Sequence, residues 1–99
     1  MTPILYAAEA VEDIQTILGY LEGQEPRLGA KFETDYRRAL ERIREFPRAW
    51  PKVGRSVRVK VISKRFRYGI YYEFHKKTIL IGAVVHLAGR PRWRRRFGK

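Results

Sequence analysis

The sequence predicts an α+β domain: an N-terminal helical hairpin packed on one face of a small antiparallel β-sheet, in the order β-α-α-β-β-β. Apolar residues recur at helical spacing through most of residues 7–46 and at a spacing of two through most of residues 57–86. Pro47, Pro51 and Gly54 fall between these two regimes and mark the changeover. The 99 residues suffice for one core and not for two. Residues 1–99 are therefore read as a single domain, with 90–99 as a basic tail.

Ile4-Leu5-Tyr6, following Pro3, reads as a brief strand. From Ala7, the residues Val11, Ile14, Leu18 and Leu21 form one helical stripe. Glu9, Glu12 and Asp13 lie in the early turns, where the helix dipole favours carboxylates, and Gly23 is the expected stop. Pro26 suits the first turn of a second helix, where its missing N–H costs nothing. That helix carries Leu28, Phe32, Tyr36, Ala39, Leu40, Ile43 and Phe46 on one face and ends before Pro47. The short connection makes the two helices an antiparallel hairpin. Val57, Val59 and Val61 then alternate with Arg58 and Lys60. Phe66, Tyr68, Ile70, Tyr72 and Phe74 alternate with Arg67, Gly69, Tyr71 and Glu73. His75-Lys76-Lys77 reads as a turn, and residues 78–86 as an apolar, more central strand. Three consecutive strands with short links form a meander. The expectation is that Val57, Val59 and Val61 face the helices. Arg58, Lys60, Arg67 and Tyr71 then line an open face, and His86 sides with Leu80, Gly82 and Val84.

Charge narrows the function. The chain has 22 Lys and Arg against 10 Asp and Glu, a formal net charge of +12. Residues 1–50 carry a net −2 and residues 51–99 a net +14, with Glu73 the one acid of the second half. Such asymmetry points to a polyanionic partner. The longest apolar run, residues 79–85, is far short of the ~20 residues of a membrane span. No basic, then apolar, leader opens the chain, so the expected compartment is the cytoplasm and no membrane partner is expected.

Two-metal nucleases need several carboxylates around one cluster, and the basic half offers a single one. Two histidines and no cysteine do not fill the usual zinc ligand set, so no metal and no cofactor is expected. Metal-free RNA cleavage remains open. It needs a base for the ribose 2′-OH, an acid for the leaving 5′-oxygen, and cations for the crowded phosphate. Arg58, Lys60, Arg67, His86 and Arg90 are the candidates for these roles. A lysine among like charges has its pKa lowered towards the range of a base. Arg55, Lys64, Arg65, Tyr71 and Trp93 are candidate nucleic-acid contacts. Solvated charges on an exposed strand face explain the same alternation. A hydrogen-bonded structural role fits His86 as well as a catalytic one, and Trp50 and Trp93 suit a core edge as well as base stacking.

Several segments together resemble the RelE/ParE superfamily, the toxins of type II toxin–antitoxin systems. They are Ala10-Val11-Glu12-Asp13-Ile14 with Tyr20, Ala30 with Phe32, Phe46-Pro47 with Gly54-Arg55, and Tyr68-Gly69-Ile70-Tyr71-Tyr72. Ile79-Leu80-Ile81-Gly82-Ala83-Val84-Val85-His86, followed by Arg90-Pro91 and Trp93, completes the pattern. The resemblance spans roughly residues 4–93 and rests on order and spacing. It implies the same helices-on-sheet fold. It also implies a cognate antitoxin, acidic in its toxin-binding segment, that masks the basic surface. The superfamily acts in two ways: metal-independent mRNA cleavage on the ribosome, or non-enzymatic poisoning of DNA gyrase. Arg58, Lys60, Arg67, His86 and Arg90 match the ribonuclease branch in kind and rough position, although no tyrosine follows Tyr72. The hairpin with Asp13-Ile14 and Tyr20 is closer to the gyrase-poison branch. The expectation is ribosome-dependent mRNA cleavage; the alternatives are gyrase poisoning, or a basic nucleic-acid-binding module without toxicity.

Overall fold

Two helices, α1 (Ala8–Gln24) and α2 (Leu28–Glu45), follow a three-residue strand, β1 (Ile4–Tyr6), and lie antiparallel. The structure is a computed structural model and describes residues 1–88 and 93–97. α1 buries Ala10, Ile17 and Leu21. The expected stripe is rotated at its start: Val11 is exposed, and the small Ala10 lets the helix approach the sheet closely. α1 also runs one residue past Gly23. Pro26 sits in the turn, and α2 begins at Leu28. α2 buries Phe32, Tyr36, Ala39 and Ile43 on one face, as its periodicity requires.

The remaining strands are β2 (Val57–Val61), β3 (Tyr68–His75) and β4 (Thr78–His86), with a short C-terminal helix, α3 (Trp93–Arg96). The sheet order is β1-β4-β3-β2. The meander β2-β3-β4 is antiparallel, as expected, and β1 joins the edge parallel to β4, which makes the sheet mixed. The parallel contact is closed by Ile79 N–H donating to Pro3 O at 2.9 Å and Ala7 N–H donating to Ile81 O at 2.9 Å.

The main core lies between the helices and the sheet. Phe32, Ile43, Ile70, Tyr72, Ile79, Ile81 and Val84 are its largest fully buried side chains. Each contributes about 1.5–3 kcal/mol through burial. Phe32 meets Phe66 and Tyr68 edge-on, with centroids 5.5 and 5.8 Å away. Tyr72 hydroxyl donates to Pro47 O at 2.7 Å, tying the end of the hairpin to the sheet.

One irregularity controls which residues face where. Between Tyr71 and Tyr72 the β4 partner jumps from Ala83 to Ile81, leaving Gly82 as a bulge. The parity of β4 therefore switches. Ile79 and Ile81 face the helices before the bulge, and Val84 and His86 after it. Leu80, Ala83 and Val85 share the other face. His86 thus keeps the expected company of Val84 but not of Leu80.

That other face is not open. A second cluster of Val57, Tyr71, Ala83 and Trp93 occupies it, with Val53, Val59, Val85 and Phe97 packed against it. The Trp93 and Tyr71 rings stack at 5.5 Å with an interplanar angle of 11°. A Cβ on Gly82 would lie 2.5 Å from the Phe97 ring, so the bulge glycine is also the seat of α3. The predicted orientation of β2 is consequently inverted. Arg58 is in register with Tyr72 and Lys60 with Ile70, so both share the helix face. The valines turn towards α3, because an apolar cover was present on the side expected to be bare.

Candidate functional site

The predicted cations separate into different places. Arg58 and Lys60 lie on the helix side of β2, an edge strand that the hairpin only half covers. Trp50 organises them: Arg58 donates to Trp50 O at 2.8 Å, and Lys60 Nζ sits 4.2 Å from the Trp50 ring centroid. Burial, reinforced by Arg42, pushes the Lys60 ammonium below its ordinary value of 10.5.

Arg67 and His86 lie elsewhere. They line a notch where the α1–α2 connection meets the β2–β3 turn, with Leu21, Leu28, Lys64, Arg65, Phe66 and Tyr68. The Tyr68 and His86 rings meet edge-on at 5.0 Å. Ala88 N–H donates to His86 Nδ1 at 3.0 Å, so a neutral imidazole carries its proton on Nε2. Arg65 is anchored from beneath by Asp35, through Nε to Oδ2 at 3.1 Å. The Arg65 hydrogen bond, against the opposing effect of burial, holds the Asp35 carboxyl below its ordinary 3.8.

Between the two groups the sheet carries core. Ile70, buried opposite Lys60, and Tyr68, half-buried opposite His86, lie between Lys60 and His86 on the helix face. Among the described residues, Arg58, Lys60, Arg67 and His86 do not converge on one reacting atom; Arg90 lies outside them. The expected acid–base set is therefore not brought together.

The expected nucleic-acid contacts divide similarly. Tyr71 and Trp93 are 8% and 6% exposed, each covered by the other, so neither offers a free ring face to a base. Arg55 is exposed on the second face, in a shallow groove with Glu73, Arg94 and Phe97. Lys64 and Arg65 belong to the notch. Among the described residues, the candidate cations are thus spread over the notch, the β2 margin and the α3 face, and do not form one plane.

Two acids missed as site elements prove structural. β1 is so short that β4 beyond Ile81 is an edge, and Asp13 and Arg96 satisfy its free groups. Asp13 Oδ2 accepts from Val84 N–H at 2.9 Å, and Arg96 donates to Gly82 O at 3.2 Å. Arg96 Nη1 and Asp13 Oδ2 also pair at 2.8 Å, clipping α3 to α1. Asp35 is the second such acid. A carboxylate within a buried stripe and an arginine just past a serine turn were the signals available for it.

Among the described residues, no three His, Cys, Asp or Glu side chains are grouped so as to hold a metal ion. No described helix is long and apolar enough to cross a membrane.

Two helices on a small mixed sheet, with a C-terminal helix on the reverse face, define the fold, and comparison with known proteins agrees. A family model described as the ParE toxin of the type II toxin–antitoxin system parDE matches residues 4–91. The chain belongs to this family of toxins. A solved chain of the chromosomal ParDE toxin–antitoxin system from P. aeruginosa superposes with a TM-score of 0.66 at 16% identity. The match covers 87% of this chain and 96% of that one. No curated protein matches the sequence.

Proposed function

We propose that this toxin arrests growth by binding DNA gyrase without cleaving RNA, and that a cognate antitoxin neutralises it. The supporting observation is the separation of Arg58 and Lys60 from Arg67 and His86 by buried core. Cleavage needs base, acid and phosphate clamp within hydrogen-bond reach of a single phosphodiester. A poison needs only a complementary surface, and a basic one suits a target that handles DNA. Both the target and the antitoxin lie in the cytoplasm on this reading.

Two assays test the proposal. Purified toxin at micromolar concentration should inhibit supercoiling by gyrase and trap cleaved DNA, and primer extension on mRNA from arrested cells should show intact transcripts. Unimpaired supercoiling together with codon-positioned cleavage would reject the proposal. One observation favours the ribonuclease reading: the Lys60 ammonium is held below its ordinary value, in the direction a general base requires. On that reading Lys60→Met abolishes transcript cleavage while the fold persists.

A further inference from the structure

The notch between the helical hairpin and the start of β3 has two kinds of lining. Leu21, Leu28 and the half-buried Tyr68 form an apolar and aromatic floor, while Lys64, Arg67 and His86 stand exposed around it. The opening measures about 430 Å³, within the range of small-ligand sites. Arg65 adds a guanidinium whose orientation Asp35 already fixes. Asp35 is spent on that pairing, so the cations at the mouth keep a net positive charge. His86 is oriented as well: with Nδ1 accepting from Ala88 N–H, the Nε2–H is the free donor of the neutral ring.

We propose that this notch is a nucleotide site, taking one base on the Tyr68 floor and its phosphate between Arg67, Lys64 and His86. A planar base matches an apolar, aromatic floor, and the phosphate one sugar away matches cations at its rim. An acidic peptide would use the cations but leave the aromatic floor without a planar partner. The ligand is either a free nucleotide or a base turned out from a single strand. The site is independent of how the toxin arrests growth, since neither gyrase inhibition nor transcript cleavage was used to derive it.

Titration of the full chain, followed by two-dimensional NMR at near-physiological salt, tests it with adenosine monophosphate, adenosine, inorganic phosphate and a short single-stranded oligonucleotide. Adenosine monophosphate should shift Leu28, Tyr68 and His86 and bind more tightly than phosphate or adenosine alone. If the oligonucleotide binds more tightly than the mononucleotide, the source is a strand; the reverse order makes it a free nucleotide. Arg67→Glu should weaken mononucleotide binding about tenfold, as expected for one lost charged contact. Lys76→Glu makes the same charge change in the distant β3–β4 turn and should leave affinity within about twofold, as screening dictates. Tyr68→Leu keeps the position apolar and should erase the preference for nucleotide over phosphate. Phosphate binding as tightly as the mononucleotide, equal losses in the two charge reversals, or shifts confined to other surfaces would overturn the proposal. So would an acidic peptide producing the same shifts at tighter affinity.

Discussion

Asp35 shows how a single residue links the helices to the sheet. Its carboxylate is buried on α2, yet its partner Arg65 comes from the β2–β3 turn, thirty positions along. A buried carboxylate without that guanidinium would be costly, so the pair fixes where the turn sits. Because the folded carboxyl titrates below its ordinary 3.8, the folded state favours the ionised form. The stabilisation is therefore full above the unfolded value and is lost as pH falls through the folded one. Denaturant titrations between about pH 5 and 2 should show this acid-side decline in the native chain. In Asp35→Asn the decline should be shallower, and a superimposable profile would contradict the pairing. Asp13 is bound more tightly into the fold, because its two oxygens serve the amide of Val84, two residues past the bulge, and the Arg96 guanidinium together. Asp13→Ala leaves the Val84 amide without its acceptor and Arg96 with only Gly82 O and Glu9, and should cost about 1–3 kcal/mol, the range for an unsatisfied donor and a lost charged hydrogen bond. Urea unfolding gives that number. A red shift of Trp93 emission, as α3 loosens, should accompany it.

At the scale of elements, the β3–β4 hairpin stores a correctable strain. Lys76 and Lys77 have φ of 50° and 64°, the left-handed pair required by a two-residue turn that matches the twist of its strands. Lysine adopts that region at a cost of about 1 kcal/mol per residue relative to glycine. Replacing the pair by Asn-Gly should raise stability by about 1 kcal/mol, read as an increased denaturation midpoint at unchanged slope. The elements themselves were legible in the sequence, because burial on one side imposes its period on any helix or strand. Their facing was not. The alternation of Val57, Arg58, Val59 and Lys60 states that β2 has two faces, but not which face meets the hairpin. The deciding contact is with Trp93 and Phe97, in a tail whose arginines read as solvated charge. The bulge at Gly82 was equally silent, since an apolar strand buried on both faces carries no period for an extra residue to interrupt. Tyr71 was therefore expected on an open face and is instead covered by Trp93, while His86 comes to share the helix face with Arg58 and Lys60, set apart from them by Ile70 and Tyr68.

For the whole molecule, the consequence is that charge and core compete for the same small surface. The second half of the chain carries a net +14 on about half of the residues, and among the described residues only Arg58 and Lys60 of its cations lie in strands, the others falling in turns, loops and the C-terminal segment. Like charges at this density repel one another and oppose compaction. The apolar cover on the second face is slight, a single helical turn held by Trp93, Phe97 and the ion pairs of Arg96 with Asp13 and Glu9. Exposed Leu5 and Leu80 extend apolar surface beyond it. A partner that places carboxylates among the arginines and covers this margin would remove repulsion and exposed apolar area in one step. On the reading of this chain as a toxin held by an acidic antitoxin, the isolated protein should therefore be distinctly less stable than the complex. Binding to the folded form alone adds about 4 kcal/mol when free partner exceeds its dissociation constant a thousandfold. Differential scanning fluorimetry should show the melting temperature rising with antitoxin concentration. The rise should be smaller at high salt, where the charge component is screened. Equal melting temperatures with and without the antitoxin would show that the basic surface is already at ease without a partner. A salt-independent rise would assign the gain to apolar burial alone.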